Sequence, residues 1–233
     1  PFAPTLQRLF MSASQEQATT ADANPDQTDE LGQVAPAAPA RKRPKPGERR
    51  VQILQTLASM LEQPGSERIT TAALAAQLQV SEAALYRHFA SKAQMFEGLI
   101  EFIETSVFTL VNQILERDAD GVAQAHKIMS VLLQFSERNP GMTRVMVGDA
   151  LVYENDRLVA RMNQFFDRIE SSLRQCLRHV TNANGSATPT VDAAAQASVL
   201  VSFIVGRLQR YARSNFKRLP SEQMEIALRI LLA

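Results

Sequence analysis

The chain has 233 residues, of which 45% are hydrophobic and 21% are charged, and its formal net charge is +1. A chain of this length and composition can bury a sizeable core, which excludes a protein that is disordered throughout. No apolar run approaches the roughly 20 residues that span a bilayer, and the start lacks the basic and then apolar layout of a secretory signal. We therefore expect no membrane span and a cytoplasmic location.

Residues 1–46 are rich in Ala, Pro, Gln, Thr and Asp and show little apolar periodicity. Such a segment buries too little apolar surface to offset the entropy lost on ordering. We predict a disordered N-terminal tail.

Charge changes sign abruptly towards the end of this tail. Residues 11–40 carry five acidic residues and no Lys or Arg, whereas residues 41–50 carry six basic residues and one acidic residue. Two interpretations remain open: a solvated basic run, or an arm that binds phosphates ahead of a nucleic-acid-binding domain. Under the second, Arg49 and Arg50 are candidate DNA contacts.

From Pro46 onward the apolar residues recur with a period near 3.6, and no stretch alternates as a half-buried strand does. The pattern predicts an all-α fold. The first helix has one apolar stripe and is closed by Pro64 and Gly65. That stripe consists of Val51, Leu54, Leu57, Ala58 and Leu61.

Two short helices follow, separated only by Gln79 and Val80. We predict that Thr71 caps the first and Ser81 the second. Helices joined by so tight a turn cross steeply, which is the helix-turn-helix arrangement. Gln79 stands where glycine often supplies a left-handed backbone, at an expected cost of about 1 kcal/mol. The residues expected inside are Leu74, Ala75, Leu78, Val80, Leu85 and Phe89.

The second short helix carries long polar and aromatic side chains on its outer face, and its small Ala83 lets another surface come close. The DNA major groove, about 12 Å wide, admits such a helix, while hydroxyls and Lys92 suit phosphate oxygens. The alternative is a helical pair within a core, with Tyr86 and His88 merely on its surface. The basic run upstream favours DNA binding. The candidate DNA contacts are Thr70, Thr71, Ser81, Ala83, Tyr86, Arg87, His88 and Lys92.

A long helix is predicted from about residue 92 to 117, with Ser91 and Gln94 in the spacing of a capping box. Further amphipathic stretches predict helices over about 121–138, 140–148, 155–180, 190–216 and 221–232. The composition of residues 181–189 predicts a loop. "ENDR" at 154–157 is explained as a helix N-cap at Asn155 or Asp156 rather than as a carboxylate pair.

Enzyme chemistry finds little support in the sequence. Cys176 lies among apolar residues at helical spacing, which indicates a buried structural thiol. His88, His126 and His179 are far apart and lack partners at metal-ligand spacing, and we expect the last two to be solvated helix residues. There is no phosphate-binding loop, dinucleotide turn or nucleophile elbow. We predict no catalytic site, no metal and no cofactor.

The stretch "ITTAALAAQLQVSEAALYRHFASKAQMFEGLIEFIE" (69–104) resembles the TetR family of helical DNA-binding proteins. That resemblance implies a helix-turn-helix DNA-binding domain over 47–92. It also implies a larger helical domain for dimerisation and partner binding over 93–233. The tail at 1–46 precedes both.

Within that family, "ERNPGMTRVMVGDAL" and "NQFFDRIESSLRQ" resemble the nucleoid occlusion factors. This implies binding to palindromic chromosomal sites, association with the nucleoid, and antagonism of the tubulin-like division protein FtsZ that blocks septum formation over the nucleoid. The resemblance places the surface for the FtsZ tail at Phe102, Arg138 and Asn139.

The alternative is a ligand-responsive transcriptional repressor of the TetR type. Family members of that kind hold a small molecule between helices, and several aromatic side chains could line such a cavity. Aromatic residues at helical spacing are more often plain core. The set is Phe102, Phe108, Phe135, Phe165 and Phe166.

A homodimer follows from the mechanism as well as from the resemblance. One short recognition helix covers few base pairs, and two-fold symmetric sites are read by two-fold symmetric proteins. We expect the helices over 190–216 and 221–232 to form a four-helix interface. The residues predicted for it are Leu200, Val201, Ile204, Leu208 and Leu228, with Met224, Ala227 and Leu231.

Overall fold

The computed structural model describes residues 48–65 and 68–232, and the predicted tail at 1–46 lies outside them. In the described residues it has nine α-helices, one short 3-10 helix and no β-strand. The helices are α1 Glu48–Glu62, α2 Thr71–Gln77, α3 Glu82–Tyr86, α4 Lys92–Arg117, α5 Gly121–Arg138, α6 Pro140–Met146, α7 Asp156–Ala183, α8 Pro189–Arg213 and α9 Met224–Leu231; the 3-10 helix is Asp149–Leu151.

The predicted helix-turn-helix is confirmed in α2 and α3. Gln79 has a φ of 55° and makes the turn, and the Val80 amide donates to the Ala75 carbonyl across it at 3.0 Å. Leu85 and Phe89 are each 1% exposed. The short helices are therefore held by a shared apolar interior rather than by their own length.

The long helices pack into one continuous apolar cluster that extends from Ile53 to Leu228. Helix α7 packs along α8, and α5 packs against both α4 and α7. Because the side chains buried on these helices recur at helical spacing, each amphipathic stripe predicted from the sequence finds a neighbouring helix to cover it.

Helix α6 comes very close to α1. A Cβ on Gly141 would lie 2.1 Å from the Ala58 carbonyl oxygen. Burial raises the pKa of the Glu62 carboxyl, and a hydrogen bond from the Gly141 backbone partly offsets this rise. Glycine is thus required where α6 rests against the helix that supports the helix-turn-helix.

Two helices, α4 and α8, are long and apolar enough to cross a membrane by length and composition alone. Both contribute side chains to the common core, Leu99 and Ile204 among them. Glu104 of α4 also pairs with Arg161 of α7. The apolar character of these helices is accounted for by packing inside a helical protein.

Several predicted boundaries are corrected by the structure. Thr70, not Thr71, caps α2, because its hydroxyl oxygen accepts from the Ala73 amide. The predicted loop over 181–189 is shorter, since α7 continues to Ala183. Helix α8 ends at Arg213, ahead of Asn215 and Phe216, which both have positive φ. Helix α6 ends at Met146, and α9 spans only 224–231.

Most of the residues predicted for the dimer interface are buried within the single chain. Leu200, Ile204, Leu208 and Leu228 are 0% exposed within a single chain, and Val201 is 8% exposed. They pack against α7 and the other core helices, so the same chain already covers them. Ala227 and Leu231 of the predicted set are only partly buried, and the subunit interface stays a prediction. Met224, predicted with them, is also buried.

The thiol and histidine predictions have mixed outcomes. Cys176 is buried as predicted, and burial raises its pKa to about 11, so the thiol stays protonated at neutral pH. His179 is exposed as predicted. His126 is only partly exposed, and its Nε2 lies 3.0 Å from a carboxylate oxygen of Glu225. Asn155 caps α7 as predicted, accepting from the Arg157 amide.

Candidate nucleic-acid interface

The outer face of α3 is built from exposed side chains on a firmly packed helix. Tyr86 is 46% exposed, and Ala83, Arg87 and His88 are also exposed. Leu85 and Phe89, on the opposite side, anchor the helix to the core. Aromatic, cationic and small groups therefore share one accessible surface, which suits the edges of bases and the adjoining phosphates.

Hydroxyl groups at the starts of α2 and α3 are placed by capping. The hydroxyl oxygens of Thr70 and Ser81 accept from the amides of Ala73 and Ala84 at 3.1 and 3.3 Å. Thr71 differs, because its hydroxyl donates to the Glu82 carboxylate at 2.6 Å and so links the two helices. Thr70 and Ser81 are exposed, and their hydroxyl protons remain suited to phosphate oxygens.

Arg50 of α1 contacts the two residues that follow the C-cap of α3, the predicted recognition helix. Its Nη1 donates to the His88 carbonyl oxygen at 2.7 Å, and its guanidinium lies 4.1 Å from the centre of the Phe89 ring. Both contacts use the planar geometry of arginine. Arg50 thus contacts residues 88 and 89; it is exposed, and the phosphate contact expected at this position stays a prediction.

Lys92, the first residue of α4, is held on the protein. Its ammonium forms an ion pair with the Glu154 carboxylate and lies 5.7 Å from the centre of the Phe96 ring. The Lys92 and Glu154 side chains are 25% and 10% exposed. Contact between Lys92 and a DNA phosphate, as predicted, therefore requires the phosphate to replace the Glu154 carboxylate or to share the Lys92 ammonium with it.

Of the predicted basic arm, only residues 48–50 lie within the described part of the chain. Arg49 is partly exposed, and its Nη1 donates to the Gln52 side chain at 2.8 Å, one turn along α1. The basic residues at 41–45 lie outside the described residues.

Two of the three residues predicted for partner binding, Phe102 and Asn139, contact Phe135. The Phe102 ring of α4 lies 6.1 Å from the Phe135 ring of α5. The Asn139 side-chain amide donates to the Phe135 carbonyl at 2.8 Å, while the adjacent Arg138 is exposed at the end of α5. The aromatic pair thus lies at the α4–α5 contact, and the exposed cation lies one turn beyond Phe135 at the end of α5.

Ion pairs join α4 to α7 beyond the helix-turn-helix. Arg157 lies 2.7 Å from Glu97, and Arg161 makes two hydrogen bonds to the Glu104 carboxylate. The hydrogen bond to Glu104 is the main reason the pKa of Arg161 is raised above its usual range. The helix that follows the recognition helix is thereby tied to the body of the protein.

Sequence reasoning missed two carboxylates. Glu154 lies 62 positions from Lys92, and no periodicity relates the two. Glu82 begins the second short helix, and its bond to Thr71 was not foreseen. The charge of Glu154 just before a capped helix was visible in the sequence; its partner was not.

Two family models match most of the described chain. The model described as "Bacterial regulatory proteins, tetR family" matches residues 53–99. The model described as "Tetracyclin repressor-like, C-terminal domain", of the SlmA-like type, matches residues 119–233. The first match covers α2 and α3 and the second covers α5 to α9.

Curated relatives match at high identity. The nucleoid occlusion factor SlmA of Photobacterium profundum is 53% identical over 186 residues, which are 79% of this chain and 94% of that protein. The nucleoid occlusion factor SlmA of Vibrio cholerae is 52% identical over 178 residues, which are 76% of this chain and 90% of that protein.

Solved structures with low identity share the fold. The TetR-family regulator PfmR of Thermus thermophilus has a TM-score of 0.63 at 20% identity, covering 78% of this chain and 95% of that one. The regulator FadR of Bacillus subtilis, solved with stearoyl-CoA, has a TM-score of 0.61 at 14% identity, covering 78% and 97%. The predicted all-α, TetR-like architecture is confirmed. The chain belongs to the TetR family and, within it, to the family of the nucleoid occlusion factor SlmA.

Proposed function

We propose that this chain is a sequence-specific DNA-binding nucleoid occlusion factor. Bound to palindromic chromosomal sites, it antagonises FtsZ assembly and blocks septum formation over the nucleoid. The observation that carries the proposal is the exposed face of α3 in a chain 53% identical, over 79% of its length, to a protein named nucleoid occlusion factor.

The DNA-binding part of the proposal is supported by the geometry of α2 and α3. Tyr86, Arg87 and His88 are exposed at the end of α3, where they can contact base edges and phosphates. The hydroxyls of Thr70 and Ser81 lie at the two helix starts and add donors for the backbone of the duplex. These side chains carry recognition, and Arg50 keeps the helix in place.

Dimer formation, the second part of the proposal, is supported by apolar residues that are exposed on the outer side of α8. Val191 and Val199 are 66% and 52% exposed, and Ala195 and Ser202 are exposed between and beyond them. Their spacing of four, four and three residues places all of them on one helical face. We assign the subunit contact to this outward face in place of the buried residues first predicted.

The FtsZ-binding part of the proposal is supported by the contacts of Phe102 and Asn139 with Phe135 and by the exposed Arg138 at the end of the same helix. Partly buried aromatic rings and an exposed cation suit an acidic and apolar peptide. This surface uses α4 and α5, whereas DNA recognition uses α2 and α3. Separate helices allow one protein to hold DNA and a partner at the same time.

Ligand-responsive repression is the alternative, and the aromatic residues that prompted it pack on one another. The Phe108 and Phe165 rings meet edge to face at 5.4 Å, and Phe165 and Phe166 meet at 5.2 Å. Phe165 is 1% exposed. These contacts explain the burial of the rings without a bound molecule, which favours a core role.

No catalytic role is proposed, in keeping with family members that are named as DNA-binding regulators and nucleoid factors. The proposed function places the protein in the cytoplasm, associated with the nucleoid.

Selection of DNA by the purified protein tests the recognition step. The full chain is incubated with a random-sequence duplex library at about 150 mM salt, and bound DNA is amplified and sequenced through several rounds. We expect a palindromic consensus with half-sites about one helical turn apart. Recovery of a non-palindromic consensus, or of no consensus above the starting library, contradicts the proposal.

A further inference from the structure

Two consecutive residues ahead of α7 contact the protein on either side of the helix-turn-helix. The Tyr153 ring lies 5.8 Å from the guanidinium of Arg68, which precedes α2. The Glu154 carboxylate pairs with Lys92, which begins α4 after the recognition helix. The segment between the 3-10 helix and α7 therefore reaches both chain ends of the α2–α3 unit.

The Lys92–Glu154 pair is largely removed from solvent. The Glu154 side chain is 10% exposed and that of Lys92 is 25% exposed. The neighbouring basic residues Arg157 and Arg161 are already paired with other carboxylates of α4. A pair at this depth is screened less by salt than an exposed one, so Glu154 holds the Lys92 ammonium effectively.

The same ammonium, at the end of the helix-turn-helix, is the phosphate contact predicted from the sequence. Ser91 caps α4 immediately before it, and the exposed Arg87 and His88 are four to five residues earlier. The lysine side chain carries a single compact positive charge, for which a carboxylate and a phosphate can compete. Binding of DNA at this position must therefore displace Glu154 or share its partner.

We propose that Glu154 competes with the DNA backbone for Lys92 and so lowers the affinity of the protein for duplex DNA of any sequence. This inference rests on the proposed function only in taking duplex DNA as the ligand. Phosphate contacts carry no base information; Glu154 thus sets overall affinity and leaves sequence preference to α3. Glu154 immediately precedes Asn155, the N-cap of α7, so displacing its carboxylate from Lys92 acts at the start of that helix.

A double-mutant cycle tests the competition. Full-length wild type, Glu154→Gln, Lys92→Gln and the double variant are titrated by fluorescence anisotropy. The probes are the selected palindrome and a scrambled duplex of equal length. Glutamine keeps the size of the Glu154 side chain and removes its charge. Glu97→Gln, which removes one charge from another α4–α7 pair, is the charge-matched control.

We expect Glu154→Gln to bind both duplexes about five- to tenfold more tightly, the scale of a partly exposed ion pair. The specificity ratio between the duplexes stays unchanged. In the Lys92→Gln background the same substitution has no effect, and Glu97→Gln stays within about twofold of wild type. Circular dichroism melting shows that each variant is folded.

Three results overturn the inference. Unchanged or weaker binding by Glu154→Gln shows that the carboxylate does not compete. Equal tightening in both backgrounds shows long-range repulsion of DNA rather than competition for Lys92. Tightening on the palindrome alone shows an effect on base recognition. Wild type that binds neither duplex contradicts the proposed function as well, whereas wild type that binds while Glu154→Gln is unaltered contradicts this inference alone.

Discussion

At the residue scale, neighbouring positions of the recognition helix divide between the core and the outer face. Tyr86 is 46% exposed, whereas Phe89, three residues on, is 1% exposed. The Phe89 ring also lies beneath the Arg50 guanidinium. Of these two aromatic residues, one is available for DNA contact and the other stabilises the core. Substituting each in turn therefore separates an effect on DNA binding from an effect on stability.

Replacing Tyr86 by Ala is expected to weaken binding to the selected palindrome at least tenfold, because the substitution removes an exposed side chain that we propose to contact bases. Thermal stability stays within about 0.5 kcal/mol of wild type, as for other surface substitutions. Phe89→Ala is the matched control and costs about 3–5 kcal/mol of unfolding free energy. Anisotropy titration and denaturant melts measure both; a Tyr86→Ala variant destabilised as much as Phe89→Ala contradicts the assignment.

Single residues could be predicted from the sequence where the physics is local. The caps at Ser81 and Ser91 and the left-handed Gln79 were all foreseen, because capping and turn preferences act over three or four positions. The Arg50 bond to His88 spans 38 positions, and the Lys92 pair with Glu154 spans 62. Such contacts depend on helix packing, which local patterns do not report.

At the scale of elements, the contact between α1 and α6 connects the helix-turn-helix to the rest of the fold. Gly141 allows α6 to rest on the Ala58 carbonyl. Gly98 of α4 also faces α1, but a Cβ there would meet only the Leu54 methyl groups at 3.0 and 3.1 Å. A backbone carbonyl cannot move aside as a side chain can, so a methyl group is excluded at Gly141 but can be accommodated at Gly98.

Gly141→Ala is therefore expected to destabilise the protein by about 1–3 kcal/mol, the cost of overpacking, and to weaken DNA binding by shifting α1. Gly98→Ala is expected to be nearly neutral, since alanine favours a helix by about 1 kcal/mol and Leu54 can adjust. Urea melts of both variants give the comparison. Equal stability for the two would contradict the close approach of α6 and α1.

Helix positions were predictable from apolar periodicity, but some helix ends were not. Residues 181–183 were predicted as loop by their polar composition. The Thr181 hydroxyl instead bonds to the carbonyls of Leu177 and Pro189, which extends α7 and brings it beside the start of α8. A polar residue that bonds back to its own helix satisfies its hydroxyl without ending the helix.

At the scale of the whole molecule, the subunit contact shows what an apolar stripe leaves undecided. The stripe at Leu200, Ile204 and Leu208 was visible in the sequence, yet these residues are covered within one chain. The side chains left outward include Val191 and Val199. Periodicity says which residues avoid water but not whether the same chain or a second copy covers them.

Val199→Asp is expected to convert the dimer to a monomer at micromolar concentration, because a carboxylate on the apolar contact would lose its water without a partner. The fold remains helical, since Val199 is 52% exposed in the single chain. Val152→Asp, at a residue 68% exposed on a different segment, is the control and leaves the dimer intact. Sedimentation velocity measures the oligomeric state of both variants. A Val199→Asp variant that stays dimeric contradicts the proposed interface.

The central claim is that DNA-bound protein restrains FtsZ through a surface separate from the recognition helix. Its most direct test is light scattering of FtsZ polymers formed with GTP, in the presence of wild type with and without the selected palindrome. Arg138→Ala, at an exposed end of α5, serves as the variant that separates the two surfaces.

Wild type with the palindrome is expected to lower polymer scattering more than wild type alone or the palindrome alone. Arg138→Ala binds the palindrome normally and leaves scattering near that of FtsZ alone. Polymers unaffected by the wild-type complex, or an Arg138→Ala variant that loses DNA binding together with FtsZ antagonism, would contradict the central claim.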